Sequence, residues 1–281
     1  MTRASRNLIL TAVTVAGSAG AVALAALSGA DRAWLYAALG IVALVIVPFY
    51  IGFEKDRPRA GHVVLIAVMI TLAVVGRAAF FWAPQFKPII AVIIIAGVAM
   101  GGQSGFITGS MSAFVSNFIF GQGPWTPFQM LAWGLIGFFA GLLFHDRYMN
   151  ISDTISGHGT GIEKEKDALK GEAYGKEESN TPELKNERSV VYTTKYKKEK
   201  SIIPVVIYGA LSCFVLHGAI TDIWTVLSIS DRPVLGEIVT VYSAGLIPDL
   251  VLAVATVTFL LAMLRPMLKK FRRMREKYGI I

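Results

Sequence analysis

Residues 89–144 read "IIAVIIIAGVAMGGQSGFITGSMSAFVSNFIFGQGPWTPFQMLAWGLIGFFAGLLF". Two glycine-bearing turns, "GGQS" and "GQGPWTP", divide this stretch into three apolar runs at 89–100, 105–120 and 128–144. The runs are continuously apolar. A membrane β-barrel would instead alternate lipid-facing and lumen-facing residues. Lipid offers no partner to a free backbone N–H or C=O, so such runs are read as helices. The second turn poses the functional question, because it sets Asn117, Gln122, Trp125 and Gln129 between two hydrophobic helices.

The rest of the chain repeats the pattern. Of 281 residues, 54% are hydrophobic and 16% charged, and the mean hydropathy is +0.57. Further apolar runs lie at 8–28, 33–53, 63–81, 202–228 and 245–264. Most approach the ~20 residues that a helix needs to cross a bilayer. The reading is an all-α integral membrane protein with eight spans. The runs 89–100 and 105–120 are short, since twelve helical residues cover about 18 Å. Those two helices either stop short of crossing or extend into their loops.

Charge orients the bundle. With the N-terminus inside, 23 of the 27 Lys and Arg fall on inner segments and three, Arg32, Lys87 and Arg232, on outer ones, while Arg77 lies within a span. This is the positive-inside bias of a plasma-membrane protein with both termini cytoplasmic. The formal net charge of +8 is concentrated in the tail "RPMLKKFRRMREKYGII", which suits a juxtamembrane anchor on anionic lipid rather than a nucleic-acid site. The first run resembles a secretory leader in its basic start and small-residue end, but its length favours a retained helix. The single cysteine, Cys213, excludes an intrachain disulfide, and neither a metal nor a cofactor is expected. Residues 1–56 form a two-helix extension and 57–281 a six-helix core. Within that core 146–201 is a polar insert of mixed charge, expected to be largely disordered and cytoplasmic.

Polar residues gather toward the outer side. The outer connections are 80–88 ("FFWAPQFKP"), 121–127 and 228–243. Around them lie Arg77, Phe81, Trp82, Lys87, Asn117, Gln122, Trp125, Gln129, Trp133, His217, Asp222, Trp224 and Asp249. Gln129 and Trp133 are four apart and share a helix face. Intramembrane charges usually face a bundle interior or water. The set is therefore read as the rim of a substrate recess under the outer loops, with Trp125 placed to stack on a planar ligand. Plainer roles stand beside this one. Trp82 and Trp125 suit interfacial anchors, Arg77 could pair with Asp222 or Asp249, Gln129 could bond a neighbouring helix, His217 could be a satisfied core histidine, and Lys87 could snorkel. Glycines at 105 and 109, and at 134, 137 and 141, mark close helix packing.

Three stretches carry a resemblance: "GRAAFFWAPQFKP" (76–88), "SNFIFGQGPWTPFQMLAWGLIGFFAGLLF" (116–144) and the closing "FRRMREKYG" (271–279). Together they resemble the substrate-binding S component of energy-coupling-factor (ECF) vitamin transporters, over 63–144 and 202–279. The resemblance implies a six-helix core, an outward ligand site gated by loops 80–88 and 121–127, and docking on a transmembrane T subunit with two ATP-binding cassette ATPases. The family's Ala-x-x-x-Ala docking pattern falls on Ala67 and Thr71, where Thr replaces the second Ala. The implied substrate is a vitamin or related micronutrient; a cobalamin-like corrinoid comes first, a flavin or deazapurine next. The two N-terminal spans and the long insert depart from the family pattern.

No Gly-x-x-x-x-Gly-Lys-Ser/Thr loop is present, so ATP hydrolysis would belong to partner chains. The chain is expected to capture solute and not to act as an enzyme. A self-contained secondary transporter of a small polar organic solute is the alternative. An intramembrane enzyme using His217 fits poorly, because His217 and Asp222 stand about 140° apart around an α-helix.

Overall fold

A computed structural model describes residues 16–25, 27, 32–55, 58–149, 201–230 and 233–279. Residues 1–15 and the polar insert at 150–200 lie outside the described residues. The described helices belong to one compact unit, Met1–Met149 with Ile202–Ile281. They are α1 (Ala16–Ala25), α2 (Ala33–Lys55), α3 (Ala60–Ala79), α4 (Ile89–Met100), α5 (Gly102–Phe120), α6 (Thr126–Met149), α7 (Ile203–Ile229) and α8 (Leu235–Tyr278). Among the described residues no strand occurs. Five helices, α2, α3, α6, α7 and α8, are long and apolar enough to cross a membrane.

The short α4 is the centre of the bundle. All twelve of its residues are buried, and α3, α5, α6, α7 and α8 pack around it. A helix of about 18 Å is tolerable in lipid when protein, not hydrocarbon, surrounds its ends. Gly101 turns the chain directly from α4 into α5 at φ 90°, a backbone state open to glycine and strained for other residues. Gly121 does the same after α5 at φ 106°. Outer faces remain apolar: Val64, Val68, Leu142, Leu143, Leu250 and Val254 are all exposed on the protein surface. Such a surface is expected of a bundle solvated by lipid.

Helices α4, α5 and α6 meet backbone to backbone. A Cβ placed on Gly137 would strike the Gly105 carbonyl, and one on Gly105 would strike that of Gly137. Gly109 lies equally close to the Trp133 carbonyl. The small-residue spacing read from the sequence thus becomes a seam with no room for a side chain. Helix α2 docks on the same pair through Phe49, stacked on Phe106 at 3.8 Å, and through Tyr50, whose hydroxyl bonds Ser110 at 2.7 Å.

The last helix differs most from its sequence reading. The apolar run 245–264 predicts one span, whereas α8 covers 44 residues, about 66 Å at 1.5 Å per residue. That is roughly twice the ~30 Å of a hydrocarbon core. Its basic end continues as helix because Leu268 and Phe271 are buried there, while Arg272 and Arg275 donate to the carbonyls of Tyr148 and Met149 at the end of α6. Arg59 also bonds the Gly279 carbonyl. The Lys- and Arg-rich tail therefore shares one end of the bundle with the α2–α3 junction and the end of α6. Residues 80–88 and 121–127 occupy the other.

Candidate functional site

The loop end is built around Arg77, on the last turn of α3. Its guanidinium donates to Ser116 Oγ and, at 2.9 Å, to Asn117 Oδ1. It also lies 4.4 Å from the Phe120 ring centroid and 5.2 Å from that of Trp133. Neither Asp222 nor Asp249 reaches it; all its polar partners among the described residues are uncharged. A guanidinium in this setting is held by hydrogen bonds and cation–π contacts alone. The Lys87 ammonium lies 5.4 Å from the centroid of the same Phe120 ring. Desolvation, and to a lesser degree the neighbouring Arg77 charge, lower the Lys87 pKa.

The amides below the 121–127 turn bond to one another. Asn117 Nδ2 donates to Thr126 Oγ1 at 3.0 Å and to Gln129 Oε1 at 2.9 Å. Thr126 donates to Gln122 Oε1 at 2.9 Å, and Gln122 Nε2 donates to the Phe114 carbonyl at 2.9 Å. Thr126, absent from the sequence-derived set, is the hub that pins the turn to α5. Its position at the first residue of α6, nine residues after Asn117, is the sequence signal that could have found it. Trp125 is 40% exposed and tilts against Trp224 at 6.2 Å. Phe81 and Trp82 form the exposed tip of the other loop, at 74% and 76% exposure.

Deeper in the bundle, Trp133 Nε1 donates to His217 Nδ1 at 3.1 Å. His217 sits in a π-helical turn, Cys213–Gly218, that interrupts α7. Such turns carry one extra residue and often mark functional positions. The widened turn lets His217 reach α6 while Gly218 meets α8.

A cleft of about 270 Å³ opens between α7 and α8, lined by Phe214, Ala219, Asp222, Tyr242, Ser243 and Asp249 among others. Of the sequence-derived residues, Asp222 and Asp249 face this cleft; Arg77, Lys87, Asn117, Gln129 and Trp133 form the separate cluster just described, joined to it by His217. Gln122, Trp125, Phe81 and Trp82 are loop residues away from the cleft lining. Ala67 and Thr71 lie on the exposed face of α3, with Thr71 Oγ1 bonded back to the Ala67 carbonyl at 2.9 Å.

Tyr242 and Gly218 line the cleft, Gly245 lies against Asp222, and none of the three was singled out by sequence. One signal points to the two glycines: "GAITD" (218–222) and "GLIPD" (245–249) repeat the same Gly-x-x-x-Asp spacing. No family model, curated protein or solved structure matches this chain.

Proposed function

We propose that the chain is the membrane-embedded capture subunit of an ECF-type ATP-driven importer, taking a vitamin or related micronutrient from outside the cell. In this reading α3–α8 are the six-helix core, α1 and α2 are an addition, and both termini are cytoplasmic. A T subunit and two ATPases are the partners, with the α3 face around Ala67 and Thr71 as the docking surface. The chain itself performs no chemistry.

One observation carries this reading. A part-buried Arg77, on a helix end within an apolar bundle, is fixed by Ser116, Asn117, Phe120 and Trp133 and has no carboxylate partner among the described residues. Structural arginines in lipid normally pair with an acid. An arginine oriented by neutral groups retains donors for an anionic or carbonyl-bearing ligand. It stands beneath two loops that could part to admit one. A corrinoid would require both loops to open widely; a smaller heteroaromatic solute would require less.

Purified protein in detergent should retain a small molecule identifiable by mass spectrometry and bind it without ATP. Uptake in cells should stop when the partner ATPases are deleted. A second reading, a self-contained secondary transporter, is favoured by the π-helical interruption of α7 beside two carboxylates. Vesicles containing this chain alone separate the two: solute uptake driven by an ion gradient supports the second and sinks the first.

A further inference from the structure

Among the described residues, the cleft between α7 and α8 is lined by two acids and no cation. Asp249 is 8% exposed and lines the cleft. It has no hydrogen-bond or ion-pair partner among the described residues. Asp222 lines the same cleft, likewise without a partner. Burying a carboxylate without compensation costs several kcal/mol. Something positive is expected to sit between them.

The backbone is shaped to hold these two side chains in place. A Cβ on Gly218 would collide with Asp249 Oδ2, and one on Gly245 would meet Asp222 Oδ2 at 2.5 Å. Each acid therefore rests on the glycine of the opposite helix, four residues before that helix's own acid. The two antiparallel Gly-x-x-x-Asp segments make a reciprocal pair. Glycine here creates seats for side chains.

The remaining walls select the kind of cation. Phe214, Ala219, Val239, Leu246 and the Tyr242 ring are largely apolar surface, and the Tyr242 hydroxyl donates to the Ala219 carbonyl at 2.9 Å. A bare metal ion needs a shell of oxygens to replace its water, and this cleft offers few besides the two acids. Its volume of about 270 Å³ also exceeds what an ion requires. An ammonium group with N–H donors satisfies both acids, and a short carbon chain covers the apolar wall and the aromatic faces.

We infer that the α7–α8 cleft binds the primary or secondary ammonium group of a small organic solute, with Asp222 and Asp249 as its acceptors. This rests on the capture reading and adds to it that the captured solute carries an amine.

The test titrates the purified full-length chain with n-butylammonium chloride, tetramethylammonium chloride and sodium chloride at equal ionic strength, reading thermal unfolding. Butylammonium should raise the Tm saturably, and the other two salts should not. Asp222→Asn and Asp249→Asn should each weaken the response at least tenfold. Val239→Phe, which narrows the cleft and leaves both acids in place, should weaken it similarly and decides the matter if the Asn variants fail to fold. Equal responses to all three salts, no response to butylammonium, or an undiminished response in the variants would overturn the inference. So would a co-purifying solute that lacks an amine, an outcome that leaves the capture reading standing. ATPase-independent uptake would remove that reading while leaving butylammonium binding intact.

Discussion

Two helix pairs in this bundle place glycines at their contact, with opposite results. Between α5 and α6, Gly105, Gly109 and Gly137 face backbone, so the helices touch and nothing is left open. Between α7 and α8, Gly218 and Gly245 face carboxylates, and a cleft remains beside them. Glycine removes a side chain in both cases. What the neighbouring helix presents decides whether the freed space becomes a seam or a seat. The seam region satisfies its amides internally, through Asn117, Thr126, Gln122 and Gln129. The cleft region leaves Asp222 and Asp249 without a partner among the described residues.

Substitutions that treat the two pairs alike should give unlike results. Gly137→Ala forces a methyl group against the Gly105 backbone, which cannot yield, and should cost about 3 kcal/mol in thermal unfolding. A variant with wild-type Tm would break the seam description. Asn117→Ala removes the acceptor of Arg77 and the donor to Thr126 and Gln129, with an expected loss of about 2 kcal/mol. It should also cut solute binding by tenfold or more. Binding at wild-type strength would show that Arg77 needs no positioning.

Trp133→Phe keeps an aromatic ring near Arg77 but ends the bond to His217. About 1 kcal/mol is expected, with faster hydrogen exchange confined to 213–218. Unchanged exchange there would separate the π-helical turn from α6. Gly245→Ala meets only the end of the Asp222 side chain, which can rotate aside, and should cost under about 1 kcal/mol. A loss as large as that of Gly137→Ala would erase the distinction between seam and seat. The smallest effect concerns Lys87. Its folded pKa lies below the ordinary lysine value, so the unfolded chain binds more protons between the two. Stability should therefore rise with pH across that window. In Arg77→Met, with one of the two causes removed, the Lys87 titration measured by NMR of methylated lysines should move upward.

Much of the fold was legible because lipid imposes it. Continuous apolar runs bounded by glycine and charge located α3 through α7 to within a few residues, and the runs 89–100 and 33–53 nearly coincide with α4 and α2. The extent of α8 was not legible. Its basic tail has no apolar periodicity strong enough to announce a helix; Leu268 and Phe271 are buried, and Arg272 meets the Tyr148 carbonyl at the end of α6, only in the packed bundle. The site divides in the same way. Sequence marked Arg77, Asn117, Gln129 and Trp133 as polar groups out of place in apolar runs, and they meet in one cluster. It gave no means of telling that Asp222 and Asp249 stand apart from Arg77, since an acid and a base in one membrane are equally readable as an ion pair.

By itself the sequence determined that this chain is a bundle of helices apolar enough to cross a membrane, where α2 to α7 run to within a few residues, and at which end its basic residues collect. These follow from hydropathy and local backbone chemistry, and they need no knowledge of neighbours. Tertiary structure alone decided which polar groups neutralise one another and which stay open. That depends on which helix faces are pressed together, and contacts such as Gly218 against Asp249 join residues 31 positions apart through space.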